Sequence, residues 1–225
     1  MNPNDAYLYD QQYFDGYYLR DVKRETAYLQ ERDRIYEEYL KTHEFIGGNV
    51  LDVGCGIGGF MSVFDDRWNK YGVEPSEYAS AKAAKKGILL VDMNCMDTEH
   101  MDLIVFRGTL QHIDYPMKVL YQATRLLKSN GLLVFLATPD TDSLVYKIWG
   151  TLPALDPQRN WCLFGHKELD NILERMGYKN KFLYPYLGTP YASPFKDLAK
   201  FFLSFIRYRK FAFPGNMMEI YSVKA

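Results

Sequence analysis

Cysteine is scarce in this chain, and it is not clustered. Cys55, Cys95 and Cys162 are the three cysteines among 225 residues, and no two of them form a CxxC pair. Structural zinc sites and disulfide frameworks require closely spaced or paired cysteines. The sequence therefore predicts neither. Asp140 and Asp142 could offer oxygen ligands, but Asp and Thr clusters of this kind are typical of turns and helix caps. We expect no metal.

Long apolar runs and an excess of charge of one sign are also missing. No stretch approaches the roughly 18 apolar residues of a membrane span, and residues 1–20 lack the apolar core of a secretory signal. Lys and Arg number 27 against 28 Asp and Glu, a net charge of −1. A chain without a basic surface is poorly suited to gather nucleic acid phosphates. We expect a soluble, cytoplasmic, single-domain protein that does not bind nucleic acid.

A glycine-dense turn follows a short apolar strand in residues 50–60. The spacing over 54–59 matches the dinucleotide fingerprint G-x-G-x-x-G, and that over 54–58 matches the G-x-G-x-G of S-adenosylmethionine (SAM) sites. A strand, a glycine turn and then a helix are expected to cradle a nucleotide cofactor. Asp52 precedes the turn and would repel an NAD pyrophosphate, whereas it would attract the sulfonium and ammonium of SAM. The sequence favours SAM, with an NAD-dependent oxidoreductase as the alternative.

Acidic residues end the next two predicted strands. Glu74 lies 20 residues after Gly54, a distance at which a carboxylate can accept both ribose hydroxyls of an adenosine. The apolar run 88–91 ends in Asp92 and Met93, which could accept from an adenine amino group and pack on its ring. Further strands are predicted at 100–108, 130–139 and 217–223, and helices at 19–42, 76–86 and 117–128.

These motifs together resemble the class I SAM-dependent methyltransferases of the small-molecule group, which includes ubiquinone-biosynthesis O-methyltransferases and sugar methyltransferases. The resemblance covers roughly residues 45–186 and rests on LDVGCGIGGF (51–60), YGVEPSEYA (71–79), VDM (91–93), MDLIVFRGTLQHIDYP (101–116), LLKSNGLLVFLATPD (126–140) and HKELDNILERMGY (166–178). It implies an α/β Rossmann-like three-layer sandwich. The seven-stranded sheet would be mostly parallel, with one antiparallel strand near the C-terminus.

The same resemblance implies which residues hold the cofactor. They are Asp52, Gly54, Cys55 and Gly56 at the methionine end, Glu74 and Pro75 at the ribose, Asp92 and Met93 at the adenine, and Arg107. Arg107 could instead grip an acidic acceptor group, or form a structural ion pair with Asp52 or Asp92.

The range of possible methyl acceptors is limited mainly by motifs that the sequence does not contain. The place after strand four carries Arg107-Gly108-Thr109-Leu110 rather than an Asn/Asp-Pro-Pro-Tyr motif, and there is no Pro-Cys nucleophile. We therefore expect a small-molecule acceptor and O-methylation of a sugar or nucleotide sugar. A quinone, phenol or lipid-like hydroxyl is the alternative, as is a non-catalytic SAM-binding subunit. His112 is the first candidate general base and His166 the second, although His112 could instead cap the helix beginning near Asp114.

Three regions lie almost entirely outside the motifs quoted above. The first is an N-terminal segment, which we expect to end at residue 45. Residues 1–45 are rich in tyrosine and form either a lid over the cofactor or a helix packed on the sheet, ahead of a methyltransferase domain at 46–225. Residues 140–165 and 187–214 are expected to be acceptor-side insertions, with Trp161 and Phe164 as platforms or Trp161 as a core anchor. The apolar segment 195–206 should be buried by the same chain or a second subunit in a homodimer. The basic residues that follow it, 207–210, would suit anionic headgroups, so contact with a membrane surface is the alternative.

Overall fold

The computed structural model describes residues 11, 13–14, 22–152, 154–186, 192–205 and 213–225. Within these ranges a single seven-stranded sheet forms the centre of the protein. Its strands are β1 (Gly48–Val53), β2 (Trp68–Val73), β3 (Leu89–Leu90), β4 (Met101–Arg107), β5 (Leu127–Pro139), β6 (Tyr178–Leu183) and β7 (Met217–Lys224). The helices are α1 (Val22–Tyr39), α2 (Glu77–Ala84), α3 (Pro116–Leu126), α4 (Leu144–Trp149), α5 (His166–Arg175) and α6 (Pro194–Ser204).

The strand order across the sheet is β3-β2-β1-β4-β5-β7-β6. Strands β1 to β5 pair in parallel, and β7 runs antiparallel to both neighbours, β5 and β6. This confirms the predicted Rossmann-like fold with one antiparallel strand near the C-terminus. The order reverses between β1 and β4, so the carboxyl ends of these strands border the crevice where open α/β sheets bind ligands.

Burial explains why β1, β4 and β5 read as continuous apolar runs. Helices cover both faces of a parallel sheet, so its central strands are apolar on both faces. Leu51, Ile104 and Leu133 join the core cluster on one face, whereas Val50, Leu103 and Leu132 join the cluster on the other. The core therefore has two layers, with the sheet between them.

The expected helix directly after the glycine turn is absent from the described residues there. A 3-10 helix of three residues, Met61–Val63, takes its place. Adjacent glycines at 58 and 59 disfavour a helical start, and the aromatic rings that follow are fixed by α1 instead. Phe60 packs edge-to-face on Tyr28, and Phe64 packs the same way on Tyr36. The segment 140–165 also differs from the expected loop, because it contains α4.

Helix α1 packs tightly against the sheet. Ile35 and Tyr39 are buried within one core cluster. Arg34 donates to both carboxylate oxygens of Glu219 on β7, at 2.8 and 2.5 Å, and Tyr221 donates to the same carboxylate at 2.7 Å. Burial of a charge is tolerated when it is paired in this way. Residues 22–39 thus form part of the layer that covers the sheet.

Helix α6 is different, because much of its surface is open. Phe195 is 91% exposed, and Leu198, Phe202 and Phe205 are exposed as well. The described part of the chain therefore does not bury this face, and the alternative, burial by a second subunit, stays a prediction. None of the helices within the described ranges is both long and apolar enough to cross a membrane.

Candidate functional site

The glycine turn is held against the carboxyl end of the sheet. The N–H of Gly54 donates to Val73 O at 2.8 Å, and Gly54 has a φ of +82°. A Cβ at this position would lie 2.5 Å from Cγ2 of Thr109, which follows β4. Both the left-handed backbone and the close approach therefore require glycine. The turn brings β1 and the segment after β4 together around one crevice.

A pocket of about 480 Å³ lies at this crevice. Four of the predicted cofactor residues line it: Gly54, Pro75, Asp92 and Met93. Its other walls, which the sequence analysis missed, include residues of α3 and the turn before it: Asp114, Tyr115, Lys118, Val119 and Gln122. These residues form no recognisable motif. The arrangement at the start of α3 depends on how the helix packs against the end of β3.

Asp92 presents its carboxylate at the rim of this pocket. It accepts hydrogen bonds from the backbone N–H of Asn94 at 2.9 Å and from the Asn94 side chain at 2.8 Å. These bonds lower the pKa of Asp92, so the group is ionised at neutral pH. Each carboxylate oxygen can accept more than one hydrogen bond, which leaves capacity for an exocyclic amino group.

Glu74 connects the end of β2 to the glycine turn. Its two carboxylate oxygens accept from the N–H groups of Gly56 and Ser76, both at 2.9 Å. Burial raises the pKa of Glu74 despite these two bonds. The carboxylate is thus fixed beside the turn, with remaining lone pairs able to accept from hydroxyl groups.

Asp52 is the most unusual group at the site. It is 2% exposed, and its Oδ1 has no hydrogen-bond partner within the described part of the chain. Burial raises the pKa of Asp52 to about 7, against the opposing effect of Arg107. An unpaired buried carboxylate is costly, and a cationic ligand would relieve that cost. The residues present therefore fit the positively charged methionine end of SAM.

Arg107 lies in a different environment from the one predicted. Its guanidinium pairs with both oxygens of Glu31 on α1, at 2.6 and 3.1 Å, and stands 4.4 Å from the centre of the Tyr28 ring. Arg107 is not among the residues that line the 480 Å³ pocket. The alternative of a structural ion pair is therefore observed, with Glu31 rather than Asp52 or Asp92 as the partner. Burial raises the pKa of Glu31, and Arg107 opposes the rise.

His112 lies after β4 at the same edge of the sheet, in the 3-10 helix Leu110–His112. Its Nδ1 is 2.8 Å from Arg159 O and donates to it, which leaves Nε2 as the basic nitrogen. Gln111 Nε2 lies 3.3 Å from that nitrogen. Burial lowers the pKa of His112, so the ring is neutral at pH 7. It does not cap α3, which begins at Pro116.

The two predicted aromatic platforms have different environments. Trp161 is 57% exposed and is tied to the carboxyl edge of the sheet by its backbone N–H, which donates to Gln111 O at 2.8 Å. It is therefore not a core anchor. Phe164 is 6% exposed and belongs to the main core cluster. The prediction that Phe164 forms a platform is wrong, because the start of α5 draws it into the core.

Asp140, Asp142 and His166 lie together at the end of β5, with ligand atoms within 4.8 Å of one another. Asp140 accepts from the N–H of Asp142 at 2.8 Å, from the N–H of His166 at 3.0 Å and from His166 Nδ1 at 2.9 Å. Lys147 Nζ stands 3.1 Å from Asp142. The cluster acts as a turn and cap at the start of α5, and it orients His166.

The N-terminal segment reaches the site through two residues. Phe14 is buried against Ala79, and Ile57 and Tyr78 pack around the pair. The neighbouring Tyr13 ring lies 5.0 Å from the Arg159 guanidinium. The segment thus links the region of the glycine turn to the loop that holds His112. Other tyrosines of the predicted lid, Tyr7, Tyr9, Tyr17 and Tyr18, lie outside the described residues.

Comparison with protein families gives one match that covers most of the chain. A family model described as a methyltransferase domain matches residues 18–181. Among curated proteins, the chain is 27% identical over 162 residues to an uncharacterized protein of Methanocaldococcus jannaschii. The match covers 68% of this chain and 76% of that protein.

Solved structures with the same fold include two described as SAM-dependent methyltransferases. A SAM-dependent methyltransferase from Archaeoglobus fulgidus has a TM-score of 0.61 and 18% identity, with 96% of this chain and 100% of that chain covered. A SAM-dependent methyltransferase from Thermotoga maritima, described as a possible histamine N-methyltransferase, has a TM-score of 0.57 and 19% identity. There the match covers 94% of this chain and 97% of that one.

Proposed function

Because the chain belongs to the methyltransferase domain family, with SAM as its methyl donor, we propose that it methylates a hydroxyl group of a sugar or nucleotide sugar. The observation that carries this proposal is that His112 and the exposed Trp161 lie on segments joined by the backbone bond from Trp161 to Gln111 O, at the carboxyl edge that also holds the glycine turn. A neutral base and an aromatic surface suit a polar ring whose hydroxyl must lose a proton.

The cofactor is assigned to the crevice between β1, β2 and β4. Asp52 and the turn at Gly54 and Gly56 would hold the methionine end, Glu74 the ribose hydroxyls, and Asp92 and Met93 the adenine. When bound, SAM supplies an electrophilic methyl group on a sulfonium. The chain then has to align the acceptor, exclude water and remove the hydroxyl proton.

His112 is the proposed general base. The hydrogen bond from its Nδ1 to Arg159 O fixes the tautomer, so that Nε2 can accept the proton of an acceptor hydroxyl once that hydroxyl displaces the Gln111 amide group 3.3 Å away. The lowered pKa keeps this nitrogen unprotonated at neutral pH. The rate should therefore fall only when the pH drops through a value below the ordinary 6.5 of histidine.

Trp161 is the proposed platform for the acceptor. Indole rings offer a large apolar face and one polar N–H, which suits the apolar face of a pyranose and its hydroxyl rim. The backbone bond from Trp161 to Gln111 O holds the loop next to His112. Loss of the ring should raise KM for the acceptor more than it lowers kcat.

The test is formation of S-adenosylhomocysteine with a panel of nucleotide sugars, phenols and quinols. We expect turnover with a nucleotide sugar, and a loss of about 10²–10⁴-fold in kcat for His112→Ala, with SAM affinity retained. His100→Ala, at the amino end of β4, is the control. Turnover with phenols or quinols alone would refute the sugar proposal. Near-normal turnover by His112→Ala would show that His112 is not the general base. SAM binding without any turnover across the panel would favour a non-catalytic subunit.

A further inference from the structure

Helix α6 presents a broad apolar surface to solvent. The exposed apolar side chains on it are Phe195, Leu198, Phe202 and Leu203, with Phe205 at its end. At about 100° per residue, positions 195, 198, 202 and 205 fall along one side of the helix. A contiguous exposed apolar face of this kind marks an interaction surface.

An adjacent side of the helix anchors it to the protein. Asp197, 4% exposed, accepts from Tyr186 Oη at 2.7 Å and from the N–H of Ser193 at 2.9 Å. Phe201 stacks on Phe213 with ring centres 5.1 Å apart and meets Trp149 of α4 at 5.5 Å. The exposed apolar side is thus fixed to face outward.

The charge on the exposed part of α6 is of one sign. Asp197, the only acid between residues 194 and 204, is buried. Lys196 and Lys200 are exposed and lie about 100° and 140° around the helix from Phe195, next to the exposed Leu203, with Lys200 Nζ 4.0 Å from Asp197. The sequence continues with Arg207, Arg209 and Lys210. Within residues 194–204, the exposed part of the helix therefore combines apolar side chains with positive charge.

Helix α4 adds to this surface. Trp149 of α4 contacts Phe205 as well as Phe201, and Leu144 and Ile148 on the same helix are exposed. Because α4 follows β5, the exposed surface lies next to the carboxyl edge of the sheet, where the acceptor is proposed to bind.

We propose that α6 docks the protein peripherally on an anionic lipid surface. A helix with aromatic and leucine residues on one face and lysines beside them lies in the headgroup region with its apolar face inserted. Each basic residue gains from the negative surface potential of anionic lipid. A second copy is disfavoured as the occupant. In a two-fold dimer the same patch meets itself, which would bring lysines together with no exposed acid on α6 to pair with them.

The test is co-sedimentation of the full chain with vesicles of phosphatidylcholine alone and of equimolar phosphatidylcholine and phosphatidylglycerol. We expect binding to the anionic vesicles only, weakening as salt is raised. Two double variants probe the two components of the surface: Phe195→Ser with Phe202→Ser, and Lys196→Glu with Lys200→Glu. Each should reduce binding roughly tenfold or more, because insertion and charge both contribute.

Matched controls alter equally exposed residues elsewhere. Phe45→Ser with Leu89→Ser, and Lys85→Glu with Lys179→Glu, should bind as the unaltered chain does. No binding to anionic vesicles, or equal losses in the controls, would overturn the proposal. So would a dimer in sedimentation velocity that the Phe195 and Phe202 variant converts to monomer, because a second copy would then cover the face. The assay contains no methyl acceptor, so its result is independent of the proposed function.

Discussion

Replacing Asp52 with asparagine is expected to stabilise the fold and weaken SAM binding at the same time. Burial holds the pKa of Asp52 at about 7, compared with an ordinary 3.8. Ionising this carboxyl in the folded chain is therefore harder than in the unfolded chain by roughly 4 kcal/mol. The folded state binds the proton more tightly, so the contribution of this group to stability is present in full below pH 4. It is lost as the pH rises from 4 to 7.

Asparagine has the same shape but does not ionise, so the variant should escape this loss. The difference in unfolding free energy between Asp52→Asn and the unaltered chain should grow by roughly 3 kcal/mol between pH 4 and pH 7, because the unfolded carboxyl is already partly ionised at pH 4. Urea unfolding at each pH measures it. Asp66→Asn, at an exposed position, should show no such growth.

SAM affinity should change in the opposite direction. If the ionised carboxylate holds the cationic end of SAM, affinity follows the ionised fraction and should rise roughly fiftyfold from pH 5 to pH 7 for a pKa near 7. In Asp52→Asn the rise should be lost, and affinity at pH 7 should fall by about 10–100-fold, the value of a hydrogen bond to a charged group. Isothermal titration calorimetry measures both. An unchanged affinity and pH profile in the variant would refute the role of Asp52.

Two further predictions concern the glycine turn and the N-terminal segment of residues 1–45. Gly54→Ala places a Cβ 2.5 Å from Thr109 at φ +82° and should abolish detectable SAM binding in calorimetry. Gly177→Ala is the control, because its φ is +89° with no atom within 4 Å of the added Cβ, and it should retain binding. If residues 1–45 act as a lid, deletion of residues 1–18, which removes Phe14 from Ala79, should weaken SAM binding more than it lowers Tm. Unchanged affinity would contradict the lid.

Local patterns were sufficient to predict the sheet and the crevice at its carboxyl edge. Apolar runs followed by Asp52, Glu74 and Asp92 predict strands that end in acids, and parallel strands bring those ends to one edge. The glycine spacing requires left-handed backbone, which the structure shows at Gly54 and Gly56. These features depend on residues close together in the sequence.

The remaining features depend on contacts between distant segments. Glu31 reaches Arg107 across 76 positions, and no pattern near either residue indicates the pair. The helix expected directly after the glycine turn does not form, because α1 packs against the aromatic rings of that segment instead. Trp161 and Phe164 look alike in the sequence, yet only the docking of α5 determines which ring is buried. The sequence alone therefore does not distinguish a buried aromatic residue from an exposed one in this segment.

A crystal structure with S-adenosylhomocysteine tests the account most directly. We predict the adenine in the pocket lined by Asp92 and Met93, the ribose hydroxyls on Glu74 and the amino-acid end at Asp52. The sulfur should be directed toward His112. A sulfur directed away from His112, or a ligand bound elsewhere on the protein, would contradict the proposed site.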